Sequence, residues 1–462
     1  MTTLALLNEP RCLDLGGFAL APPRAVPGSG TPPQRGWRAL TSKDGTSAFR
    51  ARAVRECLDT VAVLRAYREP LPGEVWTLPM ASERRMLAQV NAILALGHGA
   101  LKQVVDLAID ADLPDPGRVF AALFVLGCNA GNAWLPPMLS IFVTAVERSA
   151  AECAAAIEAL SLTPNADALE AVARLLADAR PRIRAAAIRV LSFRAVLTPS
   201  QWMRASEDTD NVVATAAASA SLAAVDRERC RQPLERLLQH RSEGIVRAAL
   251  RAGLGLRLEA AHRRASEISR GDLGWADALQ YLAMFGQSTD DDAIRAALAG
   301  PQWLSAVRAA ALSGRAALVP DLLALAPQVE AMPPQKEEIA RALTTITGLP
   351  FGAAEDSAAT TLLWARNRDR FDSRRRYRHG EHFHPSLLLR SLRLREGMTA
   401  DSRPHLRESR QQAHLELMAA TDGHVPRFSA YDFVARQLGS MQRIESWLDE
   451  SIDSGWVAGP LH

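Results

Sequence analysis

"PRIRAAAIRVLSF" at 181–193, "EGIVRAALRAGLGL" at 243–256 and "WLSAVRAAALSGRA" at 303–316 are copies of one pattern. In each, an arginine follows an aliphatic anchor, and alanine and leucine then recur at helical spacing. Working outward, comparable anchors stand at Val119, Cys153, Ile183, Val213, Val246, Ala278, Val307 and Ala340, with gaps of 34, 30, 30, 33, 32, 29 and 33 residues. A helix, a turn and a second helix restarting about every 30 residues is the signature of a helical solenoid. One such pair cannot bury its apolar face alone, so neighbours must stack and share a continuous core.

The punctuation agrees with that period. Asp115-Pro116, Thr163-Pro164-Asn165, Thr198-Pro199, Asp208 to Asn211 and Gly300-Pro301 fall where helices must start or stop. No sustained alternation of β-branched residues appears. The expected fold is therefore all-α, a HEAT-like or armadillo-like solenoid with distinct end caps. Residues 1–46, with "APPRAVPGSGTPPQRG" at 21–36, read as a loop-rich arm, and 47–112 as an N-terminal helical cap. The repeat array is expected over 113–350. The period is then lost, and 351–462 reads as an arginine- and aromatic-rich C-terminal cap.

Composition narrows the function classes. Apolar residues make up 48% of the 462 positions and aromatics only 5%, so the core must be built from Ala, Leu and Val. A net charge of +3 is far below that of a chain devoted to nucleic acid. The charge is concentrated: Trp364 to Arg410 holds 13 arginines against 6 acidic residues. The cysteines, Cys12, Cys57, Cys128, Cys153 and Cys230, are scattered and include no CxxC, which argues against a zinc ribbon or disulfide framework. "MTTLALLNEPRCLDLGG" lacks the basic region of a signal peptide, and no apolar run approaches the ~18 residues of a membrane helix. The expectation is a cytoplasmic protein with reduced thiols.

Two groups of arginines are the candidate contact residues. Arg184, Arg247, Arg308 and Arg341 each follow a repeat anchor, so they form a ladder along one helical face. That ladder suits either an acidic partner or the solvated edge of each helix. The second group lies in "RNRDRFDSRRRYRHG" (366–380), where Arg374, Arg375 and Arg378 are expected to point to solvent or a partner. Trp364 and Tyr377, among the neighbouring aromatics, are expected to cover the last repeat around Ala340 to Ile346.

Other chemistry is poorly represented. "YRHGEHFHP" puts His379, Glu381, His382 and His384 close together, but HxEHxH is neither HExxH nor its inverse. No His-Glu dipeptide occurs, which excludes the iron site of deoxyhypusine hydroxylase, a helical-repeat enzyme. Helical-repeat DNA glycosylases line a groove with basic and aromatic residues. Here Glu243, Asp277 and Asp290 to Asp292 interrupt the arginines. Neither a Gly-rich phosphate loop nor a GxSxG elbow is present. The sequence thus predicts a non-enzymatic protein without metal or cofactor.

Three stretches together resemble one family. They are "VRAAALSGRAALVPDLLA" (307–324), "EEIARALTTITGLPF" (337–351) and "RQQAHLELMAATDGHVPRFSAYDFVARQLGSM" (410–441), joined by Trp364, Phe371, Arg376-Tyr377 and Gly380. Glu416-Leu417 and Arg436-Gln437 belong to the last of them. This is similar to a proteobacterial family of HEAT-repeat proteins often encoded near type VI secretion spike and effector genes. The chain departs from the family pattern at a single Trp364 for a double Trp and at Arg378 for a Leu. The resemblance implies an adaptor, chaperone or immunity protein whose partner is a secretion effector or spike component, and it supplies no catalytic residue. The alternative is a nucleic-acid-binding solenoid using the ladder and the 366–380 segment.

Overall fold

Small side chains at helical spacing let neighbouring helices approach closely, and the repeats pack on that basis. The computed structural model describes residues 43–70, 74–109, 113–223, 228–271, 275–352, 356–393 and 407–453. Residues 1–42, most of the expected arm, lie outside them. Of the described residues 76% are helical, and strand pairing among them is confined to one two-stranded hairpin and an isolated bridge, so the fold is all-α. Seven of the eight anchors are buried; at Cys153 the buried position is the preceding Glu152.

Packing divides the chain between residues 225 and 226, inside the array expected over 113–350. The first unit contains α1 (Lys43–Ala66), α2 (Pro79–Ala95), α3 (His98–Ile109), α4 (Pro116–Cys128), α5 (Leu135–Arg148), α6 (Ala150–Leu162), α7 (Ala166–Arg174), α8 (Pro181–Phe193), α9 (Pro199–Ser206) and α10 (Asn211–Ala220). Helices α4, α6, α8 and α10 stack in one layer, each against the next. Their boundaries are set locally. Asp115 accepts from the Arg118 amide, Ser149 from Glu152, Asn165 from Asp167 and Ala168, and Asp210 from Val212. Thr198 and Gln201 form a reciprocal capping box at α9.

Residues 429–440 also belong to this unit. Phe433 is fully buried 6.0 Å from the Phe124 ring, with the Arg68 guanidinium 5.0 Å above it. Arg68 bridges Glu83 (3.2 Å) and Glu158 (2.5 Å) and donates to the Tyr431 carbonyl (3.0 Å), while Glu83 accepts from the Val434 amide (2.9 Å). A buried charge needs that degree of satisfaction.

The second unit contains α11 (Glu228–Leu238), α12 (Glu243–Gly255), α13 (Glu259–Arg270), α14 (Ala276–Phe285), α15 (Asp291–Leu298), α16 (Trp303–Ser313), α17 (Val319–Leu325), α18 (Pro333–Thr347), α19 (Ser357–Asn367) and α20 (Pro385–Arg393), with residues 409–428, which hold most of α21 (Arg407–Ala420), and residues 441–453 of α22 (Val434–Asp453). Helices α12, α14, α16 and α18 form its layer. Each of α14, α16 and α18 ends on a glycine in the left-handed region: Gly286, Gly314 and Gly348. Between α19 and α20, β1 (Tyr377–Arg378) pairs antiparallel with β2 (Glu381–His382). His379 and Gly380 both have positive φ, +52° and +81°, as a two-residue hairpin turn of this hand requires. No single helix among the described residues is long and apolar enough to cross a membrane.

Candidate functional site

Three of the four ladder arginines face carboxylates further along the chain, and the fourth, Arg341, pairs within its own helix. Arg184 on α8 forms a bidentate pair with Asp208 (3.0 and 2.9 Å), just before α10, and also donates to the carbonyls of Asp178 (2.9 Å) and Ala179 (3.0 Å). Burial pushes the Asp208 carboxyl upward, but hydrogen bonds from Arg184 and from the Asp210 amide hold it below its ordinary value. Arg247 on α12 pairs with Glu243 (2.7 Å) and reaches Asp277 on α14 (3.6 Å), lying 5.2 Å from the Trp275 ring centroid. Arg308 on α16 meets Glu338 on α18 (3.5 Å), and Arg341 meets Glu337 (2.5 Å) and Glu338 (2.9 Å). The face read as a row of available arginines is a series of charge pairs, two of them between consecutive layer helices and one from α8 to the turn before α10.

The arginine-rich segment divides into inward and outward parts. Tyr377 is buried, at 2% exposure, and its neighbours Arg376 and Arg378 are 6% and 8% exposed. This corrects the expectation that Arg378 points to solvent: its Nη2 makes a buried ion pair with Glu416 (2.7 Å) and donates to the Leu312 carbonyl (3.3 Å). Arg376 donates from Nε to the Ser313 carbonyl (2.7 Å) and stacks 4.2 Å from the Phe383 ring centroid. Arg315, also buried, donates to the carbonyls of Gly286 and Arg374, both at 2.7 Å. Helix C-terminal carbonyls concentrate negative dipole, so guanidinium groups are stabilised there even out of water. Burial lowers the Arg376 pKa, with Arg378 adding repulsion. Burial also raises that of Glu416, against the attraction of Arg378 and Arg376.

The backbone here lies across two helix ends, and the Arg376 side chain covers a third. The Tyr377 amide donates to Gly314 (2.7 Å), the His379 amide to Thr345 (2.6 Å) and the Gly380 amide to Ile346 (3.1 Å). A Cβ at Gly314 would strike the Tyr377 carbonyl, one at Gly348 the His379 carbonyl, and one at Gly286 the Arg376 guanidinium. The segment from Arg376 to Gly380 is therefore a strap whose backbone covers the C-termini of α16 and α18 and whose Arg376 guanidinium covers that of α14. Sequence reasoning missed Arg315 and the joint role of the three glycines. A signal existed, since each glycine directly follows a stretch with helical periodicity, where a left-handed cap is common.

Trp364, Phe371 and Tyr377 form a continuous aromatic row, with ring centroids 5.4 and 5.0 Å apart. All three join the cluster containing Ala340, Leu343 and Ile346, as the covering role requires. Trp364, however, is only partly buried. Arg374 and Arg375 are exposed, and so are Arg366, Arg368 and Arg370.

The histidine cluster is dispersed. Glu381 is gripped at both oxygens by Arg390 (3.0 and 2.6 Å), which holds its carboxyl below the usual value. His382 lies 4.9 Å from the Tyr377 ring, and His384 Nδ1 accepts from the Ser386 amide (3.3 Å) at the start of α20. The described residues contain no group of three His, Cys, Asp or Glu side chains placed to hold a metal ion.

The chain matches no family model and no curated protein. Among solved structures, it is 15% identical to Escherichia coli YibA, a structural-genomics target, over 54% of this chain and 94% of that one, with a TM-score of 0.31. It is 16% identical to an engineered protein over 82% of this chain and 96% of that one, with a TM-score of 0.29.

Proposed function

We propose that the protein is a non-enzymatic, protein-binding solenoid, an adaptor, chaperone or immunity factor acting on a type VI secretion effector or spike component. One observation carries this reading. The stretches that resemble the secretion-associated family supply the parts of one joint: Gly314 and Arg315 from 307–324, Gly348 from 337–351, Arg376-Tyr377 and Gly380 from the strap, and Glu416 from 410–441. Residues scattered over about a hundred positions thus meet for a shared physical purpose, closing the repeat layer. This coherence supports the resemblance, and stacked helical repeats most often serve by offering an extended surface to a partner. The nucleic-acid alternative loses support, because its ladder arginines are committed to carboxylates and Arg376 and Arg378 are buried.

The test is crosslinked capture from cells carrying the secretion locus. Recovery of an effector or spike protein is the expected result. Repeated recovery of neither overturns the reading. A salt titration against random duplex and single strands decides the alternative, since phosphate contacts make affinity fall steeply with salt concentration.

A further inference from the structure

We infer that the outward edge formed by Arg366, Arg368, Arg370, Arg374 and Arg375 is a docking surface for an acidic segment of a partner protein. The inference rests on the protein-binding reading above and names the chemistry of its partner. Five exposed arginines against Asp369 and Asp372 leave a local charge of +3. The two acids do little to neutralise it: Arg368 lies 3.7 Å from Asp369 and Arg375 lies 3.6 Å from Asp372, both contacts in solvent. Arg366 and Arg374 have no side-chain ion pair or hydrogen bond among the described residues. This contrasts with the ladder, where all four arginines are matched.

The edge is also held in place from beneath. The Asp372 amide donates to the Tyr377 hydroxyl (2.7 Å), the Arg374 amide to the Asp372 carboxylate (2.9 Å), and the Arg374 carbonyl accepts from Arg315 (2.7 Å). Phe371 is fixed between Trp364 and Tyr377. Backbone secured in this way adds no loop-ordering cost on binding, so only the arginine side chains have to be ordered. At the end of α19, Arg366 and Arg368 also complement the helix dipole. Arg374 and Arg375 have no such role and are the best evidence for a partner.

The occupant is chosen by charge complementarity and by what lies alongside. Guanidinium forks match carboxylates bidentately. Leu362 is 50% exposed on the same helix, and Trp364 and Phe371 are partly exposed, so apolar surface adjoins the charge as in protein interfaces. A phosphate polymer would favour a longer basic track, unbroken by Asp369 and Asp372.

The test measures anisotropy of a fluorescein-labelled peptide rich in glutamate, aspartate and leucine against the full chain. The double variant Arg374→Glu/Arg375→Glu should bind about ten-fold or more weakly with an unchanged melting temperature. Arg174→Glu, a reversal at an exposed arginine of the first unit, should bind as the parent does. If the double reversal unfolds the protein, Arg374→Gln/Arg375→Gln replaces it and should still weaken binding several-fold. Affinity within two-fold of the parent in the folded variant overturns the inference. So does tighter binding of duplex DNA than of the peptide, lost in the same variant. In the crosslinked capture, a partner held equally well by the reversed protein leaves the protein-binding function standing and removes this surface.

Discussion

At Gly314 two demands coincide, a φ of +66° and the Tyr377 carbonyl where a Cβ would sit. Gly131 has a φ of +91° but nothing near its Cβ direction, so it carries only the first demand. Gly314→Ala is therefore expected to cost clearly more than Gly131→Ala, which should lose about 1 kcal/mol from backbone strain alone. Urea denaturation of the two variants measures the difference, and equal losses would show that the strap does not press on Gly314. The Arg378–Glu416 pair makes a second residue-scale case. Glu416→Gln leaves a buried guanidinium beside Arg376 without its counter-ion, and a loss of about 3–5 kcal/mol is expected. Replacing both partners by leucine should cost less than the sum of the single leucine substitutions, which a double-mutant cycle reads directly. For Trp364→Ala, partial exposure brings the expected loss to about 1–3 kcal/mol, below that of a fully buried aromatic.

At the scale of elements, the ladder behaves as stitching between helices. The Arg184–Asp208 rung joins α8 to the segment before α10 with 18% and 17% of the side chains exposed, so about 0.5–1 kcal/mol is reasonable. Its pH dependence has a definite sign. Asp208 has a folded pKa below its unfolded value, so its contribution is present above about pH 4 and is lost as pH falls through the folded value. Thermal melts should show Asp208→Asn less stable than the parent at pH 7, with the gap closing towards pH 3. A gap that persists at low pH would mean the rung acts through packing. The ladder's period was legible because each arginine follows an apolar anchor. Its occupancy was not, because three of its rungs depend on which residue from further along the chain arrives opposite.

For the whole molecule, slow exchange should concentrate in the helix layers. In α4 every residue from Val119 to Cys128 is buried, whereas the described side chains of the first turns of α1 are exposed. Hydrogen exchange should therefore be slowest in α4 and its stacked neighbours within the first unit, and fast at the start of α1. Comparable protection at both places would contradict the burial pattern.

The repeat and the all-α class were legible in the chain alone, because helical period and turn signals such as Thr198-Pro199 act within a few residues of where they stand. The sequence also marked Trp364 and Tyr377 as cover for the last repeat, since an open apolar helix face must be closed by something large. Packing, and not local pattern, sorts the arginines that serve the fold from those that face outward. Arg376 meets the Ser313 carbonyl 63 positions away, and Arg378 meets Glu416 38 positions away, while Arg374 and Arg375 beside them meet neither. A guanidinium is buried only where carbonyls and a carboxylate converge to replace its water, and that convergence is a property of packed helix ends.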